Sequence, residues 1–171
     1  MAVIRIDIEI AAPPDVCFDL ARSVDAHVAS ASASGERAVA GVTSGLLGPG
    51  DQVTWRGRHF GITQELTSRI TAFDRPRHFR DEMVRGAFRS LVHDHYFDQI
   101  PAGTRMRDVF EFTAPWGILG RLAERAVLTA YLRRFLEERA RVLKRMAESG
   151  DGKAYVGAAG RVPAAGESGS S

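Results

Sequence analysis

Ile4, Ile6, Ile8 and Ile10 alternate with Val3, Arg5, Asp7 and Glu9 at the start of the chain. A period of two places the isoleucines on one side of an extended segment, which predicts a half-buried strand over residues 3–10. Ala11-Ala12-Pro13-Pro14-Asp15 follows. Proline suits the first helical position and Asp15 the positive end of a helix dipole, so Val16, Phe18, Leu20 and Ala21 are read as a short helix of about two turns. Residues 23–34 are small and polar, and are assigned to a second short helix ending before Gly35. From residue 36 the pattern is that of strands: 36–43, 52–59, 60–73, 77–84, the segment from Phe88 to Phe97, and Thr104–Phe112. Turns rich in Gly and Pro separate them, at 44–51, 74–76 and 101–103. Beyond Trp116-Gly117 the period changes. Leu128, Leu132, Phe135, Leu136, Val142, Leu143 and Met146 fall on one face of a helix expected over 118–148 and ended by Gly150. Residues 150–171 are rich in Gly, Ala and Ser and lack a periodic apolar face, so a disordered tail is expected after a domain spanning 1–149.

Consecutive strands with short turns imply an antiparallel sheet. A long amphipathic helix at the end of such a chain can bury its apolar face only against that sheet. The class is therefore α+β. A strongly curved sheet gripping one helix leaves a cavity between them, the expected seat of function.

Composition narrows the picture modestly. The chain has 171 residues, enough for one substantial core, and a net charge of +2, which gives nucleic-acid binding no support. Its single cysteine, Cys17, excludes an intrachain disulfide and lies on the first short helix, where packing is the expected role. The N-terminus lacks the apolar core of a signal peptide, and no apolar run reaches the roughly 18 residues of a membrane helix. A cytoplasmic protein without an integral membrane segment is expected.

Specific segments carry a family resemblance. They are Ile70-Thr71-Ala72-Phe73-Asp74-Arg75-Pro76, Phe79-Arg80-Asp81-Glu82, Gly86-Ala87-Phe88, His93-Asp94-His95-Tyr96-Phe97, Thr104-Arg105-Met106-Arg107-Asp108 and Pro115-Trp116-Gly117-Ile118-Leu119-Gly120. With this order of elements, the chain resembles the SRPBCC or START-like superfamily of polyketide cyclases, lipid-transfer domains and pollen-allergen-like carriers, and within it a bacterial SRPBCC group. The resemblance covers about residues 3–148. Ala87 stands where that group is expected to carry proline, a change in a turn. The resemblance implies a helix-grip fold: a curved seven-stranded antiparallel sheet around the C-terminal helix, with two short helices after the first strand. It also implies a cavity lined by Trp55, His59, Ile70, Phe79, Asp81, Met83, Leu91, His93, His95, Phe97, Met106, Asp108 and Phe110, and a small hydrophobic ligand as partner.

The chemistry-bearing residues of that face are His59, Asp81, His93, His95 and Asp108. His93 and His95 share one side of a strand and Asp94 takes the other, which removes Asp94 from the site. Three roles stay open for the inward group. It can be a hydrogen-bonded structural network. It can orient a lipid, isoprenoid, quinone or polyketide-like ligand, with Trp55 and Phe110 as flat walls. Or His93, His95 and Asp108 can act as acid and base in a cyclase, dehydratase or hydrolase. His93, His95 and Asp108 resemble an open metal set, but nothing supplies a dedicated fourth ligand, so neither metal nor cofactor is assigned. Gly45, Gly48 and Gly50 lack the Lys-Ser/Thr and the following helix of a phosphate loop. The last helix carries eight basic and four acidic residues over 118–148. Their interleaving suits a solvated face, while leaving a protein-docking role as an alternative.

Overall fold

The computed structural model describes residues 1–31, 34–114 and 121–156. In chain order they form β1 (Ala2–Ile10), α1 (Pro14–Ala21), α2 (Val24–Ser30), β2 (Arg37–Gly41), β3 (Gln52–His59), β4 (Ile62–Asp74), β5 (His78–Arg85), β6 (Ser90–Ile100), β7 (Gly103–Thr113), α3 (Arg121–Ser149) and α4 (Lys153–Val156). One seven-stranded sheet has the order β1-β7-β6-β5-β4-β3-β2, and every pairing is antiparallel. From β2 to β7 the chain runs as a meander. β1 then adds to the far side of β7, so β6 and β7 occupy the interior of the sheet. Irregular register at Ala38/Ala40, Thr67/Ser68 and Ile70/Ala72 bends β2, β4 and their partners, as bulges do. This is the helix-grip architecture.

The alternation in β1 arises as the sequence requires: Ile4, Ile6 and Ile10 are buried, whereas Arg5, Asp7 and Glu9 are exposed. Apolar burial of this kind is worth roughly 1.5–3 kcal/mol per large side chain. The two short helices close one end of the sheet. Pro13 caps α1 and Pro14 opens it, while Ser23 caps α2 by accepting from the Ala26 amide at 3.2 Å. Phe18 of α1 is fully buried and meets Phe73, Phe79 and Phe97 edge-on at 5.3–5.5 Å between centroids. Cys17 is buried and its thiol is pushed up by burial, in keeping with a packing role. Leu132, Leu136, Ala140 and Leu143 are the buried stripe of α3.

Several boundaries differ from expectation. Phe60, assigned to a strand, forms a two-residue turn with Gly61. Both have positive φ (53° and 78°), as a tight hairpin between β3 and β4 demands. The chain past Gly150 does not leave the body at once. Gly150, at φ 78°, ends α3, and the chain folds back so that Gly152 abuts Leu20 and the Tyr155 carbonyl accepts from Ser23 Oγ at 3.0 Å. Residues 150–156, expected in the tail, therefore pack on α1 and α2. Residues 157–171 and the expected helix start at 118–120 lie outside the described residues. Among the described residues, no helix is long and apolar enough to cross a membrane.

The basic face of α3 is largely engaged by this chain. Arg133 reaches the Arg5 carbonyl, Arg141 lies near Glu137 and Glu138, and Lys144 reaches the Glu9 carbonyl and Glu148.

Candidate ligand cavity

A cavity of about 920 Å³ lies between the concave face of the sheet and α3. Nine of the thirteen expected lining residues reach it: Trp55, His59, Ile70, Phe79, Asp81, Leu91, His93, His95 and Phe110. Four do not. Phe97 and Met106 face each other across β6 and β7 at the end covered by α1, where Phe18 fills the space. Met83 is only partly buried and its sulfur turns back toward Gly86. Asp108 pairs with His95 across the strands and bonds its Nδ1, and it is His95 that reaches the cavity. The far wall is supplied by Leu128, Tyr131, Leu132, Phe135, Leu136 and Arg139 of α3.

Two polar groups interrupt the apolar walls. The first stands on β5, β6 and β7. His95 Nδ1 lies 2.8 Å from Asp108 Oδ1 and its Nε2 lies 3.1 Å from Asp81 Oδ2. Phe79 stacks on the same ring at 4.2 Å between centroids, fixing its plane. Burial opposes charge on the imidazole, but the charge and hydrogen bond of Asp108, then those of Asp81, raise its pKa above the ordinary value. The two nitrogens can therefore donate together. Burial likewise works against ionised carboxylates, yet His95 holds Asp108 down at about 2 and lowers Asp81. His93 behaves in the opposite way. Burial and the neighbouring His95 charge push it down to about 3, so it is neutral. It is 3% exposed, and neither nitrogen is within hydrogen-bonding distance of a carboxylate: Nδ1 is 3.9 Å from Asp81 and Nε2 is 3.8 Å from Asp108. The Nε2 atom is enclosed and has no partner.

The second group joins four elements. Glu36, just before β2, accepts from His27 Nε2 of α2 at 2.6 Å and from His59 Nε2 of β3 at 3.1 Å. His59 Nδ1 in turn lies 2.8 Å from the Tyr131 hydroxyl on α3. Burial would raise the Glu36 carboxyl, but the hydrogen bonds from His27 and His59 hold it well below the usual range. Burial, then the charge of Arg139, lowers His27, which stacks on Trp55 at 3.8 Å. Of this group only His59 is among the expected residues.

Arg139 lies between the two groups in electrostatic reach, since its charge acts on Asp81, His93 and Asp108 as well as on His27. Its Nε is enclosed without a partner. Asp94 faces away, as its alternation requires, but it is buried by His78 and Arg80, both of which bond its carboxylate. Asp81, His93 and His95 each place one possible metal-ligating atom within 4.8 Å of the others.

A curved antiparallel sheet closed by a C-terminal helix over a cavity defines a helix-grip domain. Residues 1–148 match the model of the family described as polyketide cyclase/dehydrase and lipid transport, of the SRPBCC superfamily, and the chain belongs to that family. The fold recurs in TTHA0849 from Thermus thermophilus, 16% identical over 87% of this chain and 99% of that one, with a TM-score of 0.72. Protein CV1439 from Chromobacterium violaceum is 13% identical over 86% and 99% of the two chains, with a TM-score of 0.64. Ginseng major latex-like protein 151 from Panax ginseng is 16% identical over 85% and 97%, with a TM-score of 0.62. At these identities the likeness is one of fold. No curated protein sequence matches the chain.

Proposed function

We propose that this protein binds a small apolar or amphipathic molecule of the lipid, isoprenoid, quinone or polyketide-like kind between its sheet and α3. The observation that carries the reading is the cavity itself. At about 920 Å³ it is near the upper end of the roughly 300–1,000 Å³ range of small-molecule sites. Its walls are chiefly aromatic and aliphatic, and the two hydrogen-bonded groups supply polar contacts at fixed places. A family that includes lipid transport agrees with this reading. Native mass spectrometry of the protein from its own host, followed by thermal shifts across a panel of apolar ligands, tests it. A retained small molecule, or a ligand that raises the melting temperature saturably, is expected. Empty protein that no ligand stabilises contradicts it.

One observation favours a second reading, acid–base catalysis in the same cavity. His95 lines the cavity and is clamped between two carboxylates that favour its charged form. An imidazolium so placed can serve as a proton donor to a bound oxygen once the Asp81 bond yields. If so, His95→Gln abolishes turnover of a bound substrate while the chain still folds. If His95→Gln alters stability but not turnover, the group is structural.

A further inference from the structure

We propose a divalent transition-metal site on the cavity wall, with Asp81 Oδ2, His93 Nδ1 and His95 Nε2 as its three protein ligands. Asp108 stands behind them and orients both imidazoles. The observation behind this is the environment of His93. Its Nε2 is enclosed without a partner, and among the described residues its Nδ1 has no carboxylate nearer than Asp81 at 3.9 Å; a buried imidazole so poorly bonded is unusual, because burying polar atoms without partners is costly. A purely hydrogen-bonded cluster accounts for His95 and leaves His93 unexplained.

The spacings around Asp81 suit a shared ion as well as the one hydrogen bond they contain. A hydrogen bond to a ring nitrogen needs about 2.7–3.2 Å. Ligands held about 2.0–2.2 Å from one tetrahedral ion lie roughly 3.3–3.6 Å apart. Asp81 Oδ2 is 3.1 Å from His95 Nε2 and 3.9 Å from His93 Nδ1, which brackets the metal spacing. Small side-chain shifts equalise the two. The opposite ends of the rings then fall into place. Asp108 Oδ1 already holds His95 Nδ1 at 2.8 Å and lies 3.8 Å from His93 Nε2. One carboxylate thus faces the non-ligating nitrogen of both histidines, the outer support that metal-bound imidazoles commonly have. Strand pairing fixes the arrangement: Asp81 lies opposite His93, and His95 opposite Asp108.

Asp81, His93 and His95 line the cavity and Asp108 does not, so the ion's open side faces a cavity ligand. Two imidazoles and a carboxylate with an open position suit zinc and its neighbours better than magnesium or calcium. On binding, the proton between His95 Nε2 and Asp81 leaves to solvent and the nitrogen lone pair goes to the ion. Arg139 opposes the incoming charge, since its field reaches Asp81 and His93.

Tag-free, chelator-stripped protein titrated with Co²⁺ tests the site by visible absorption and equilibrium dialysis. One Co²⁺ per chain is expected, with the intense bands of a four- or five-coordinate ion, bleached by Zn²⁺. His93→Gln should remove the bands. Asp81→Asn, on the cavity side, should do the same if His93→Gln fails to fold. Arg139→Met should tighten Co²⁺ binding several-fold, an effect that a proton-filled structural cluster does not produce. Absence of the bands in the unaltered protein overturns the proposal. So do bands that persist in Asp81→Asn.

Discussion

The two polar groups of the cavity are built from similar residues but in different ways. The Asp81–His93–His95–Asp108 group stands on three neighbouring strands inside the sheet. Its members share a face by register; the His93, His95 and Asp108 side chains are only 4–8% exposed, while Asp81, on the cavity side, is 20% exposed. The Glu36–His27–His59–Tyr131 group gathers one side chain each from α2, the lead into β2, β3 and α3. It sits at the β2 edge, and His59 is 20% exposed at its side chain. The first group exchanges full charges, with three of its four side chains nearly enclosed. The second is a chain of hydrogen bonds around one carboxylate. Loss of a partner should therefore cost more in the first, because a buried charge is left with one carboxylate in place of two.

Asp108→Ala should give the largest effect. It removes the nearer of the two carboxylates that hold the charged His95, leaving Asp81 alone at 3.1 Å, and a loss of about 3 kcal/mol is expected from denaturant unfolding. The pH profile comes next. His93 has a depressed folded pKa, so its contribution is present above its ordinary value of 6.5 and declines as pH falls toward 3. Between pH 6.5 and 5 the unfolded chain takes a proton that folded His93 refuses, a loss of about 2 kcal/mol. His27, also lowered, adds in the same direction. His95 has the opposite sign. Its folded pKa is raised, so its contribution is full below 6.5 and is lost as pH rises through the folded value. Stability should therefore peak near pH 6.5, and His93→Gln should flatten the acid side of the curve. A curve flat down to pH 5 in the unaltered protein contradicts this account of His93.

The second group should respond less. Glu36→Ala leaves two histidine hydrogen bonds unmade at side chains 13% and 20% exposed, and about 1–2 kcal/mol is expected. Tyr131→Phe removes the single bond to His59 and should cost about 0.5–1 kcal/mol by the same assay. If Glu36→Ala proves as damaging as Asp108→Ala, the contrast between the two groups fails.

This contrast also separates what the sequence discloses from what it conceals. His93-Asp94-His95 and Met106-Arg107-Asp108 reveal their faces through a period of two, and the sheet places those faces inward. The same period mislocates Phe97 and Met106, because alternation identifies a face but not which stretch of it a helix covers. Phe18 covers that end, and no local pattern announces it. Asp108 is buried on the inward face as its period requires, yet it bonds His95 and does not itself line the cavity. The Glu36 group is concealed for another reason. Its members are separated by 9–72 positions and share no period. His59 alone is legible, from its place on the inward face of β3; Glu36, His27 and Tyr131 carry no signal that ties them to it. The long helix was legible from its apolar stripe, but not that Arg139, three residues beyond Leu136, would reach the cavity.

The central claim is that the space between sheet and α3 holds a ligand. Leu91 is buried on β6 at the cavity wall, and Leu91→Trp fills part of that space. Isothermal titration of an apolar ligand that stabilises the unaltered protein should show one site per chain. In Leu91→Trp the affinity should fall at least about tenfold, some 1.4 kcal/mol, while the melting temperature of the free protein is kept. Equal affinity in the two proteins would place the ligand elsewhere and contradict the account.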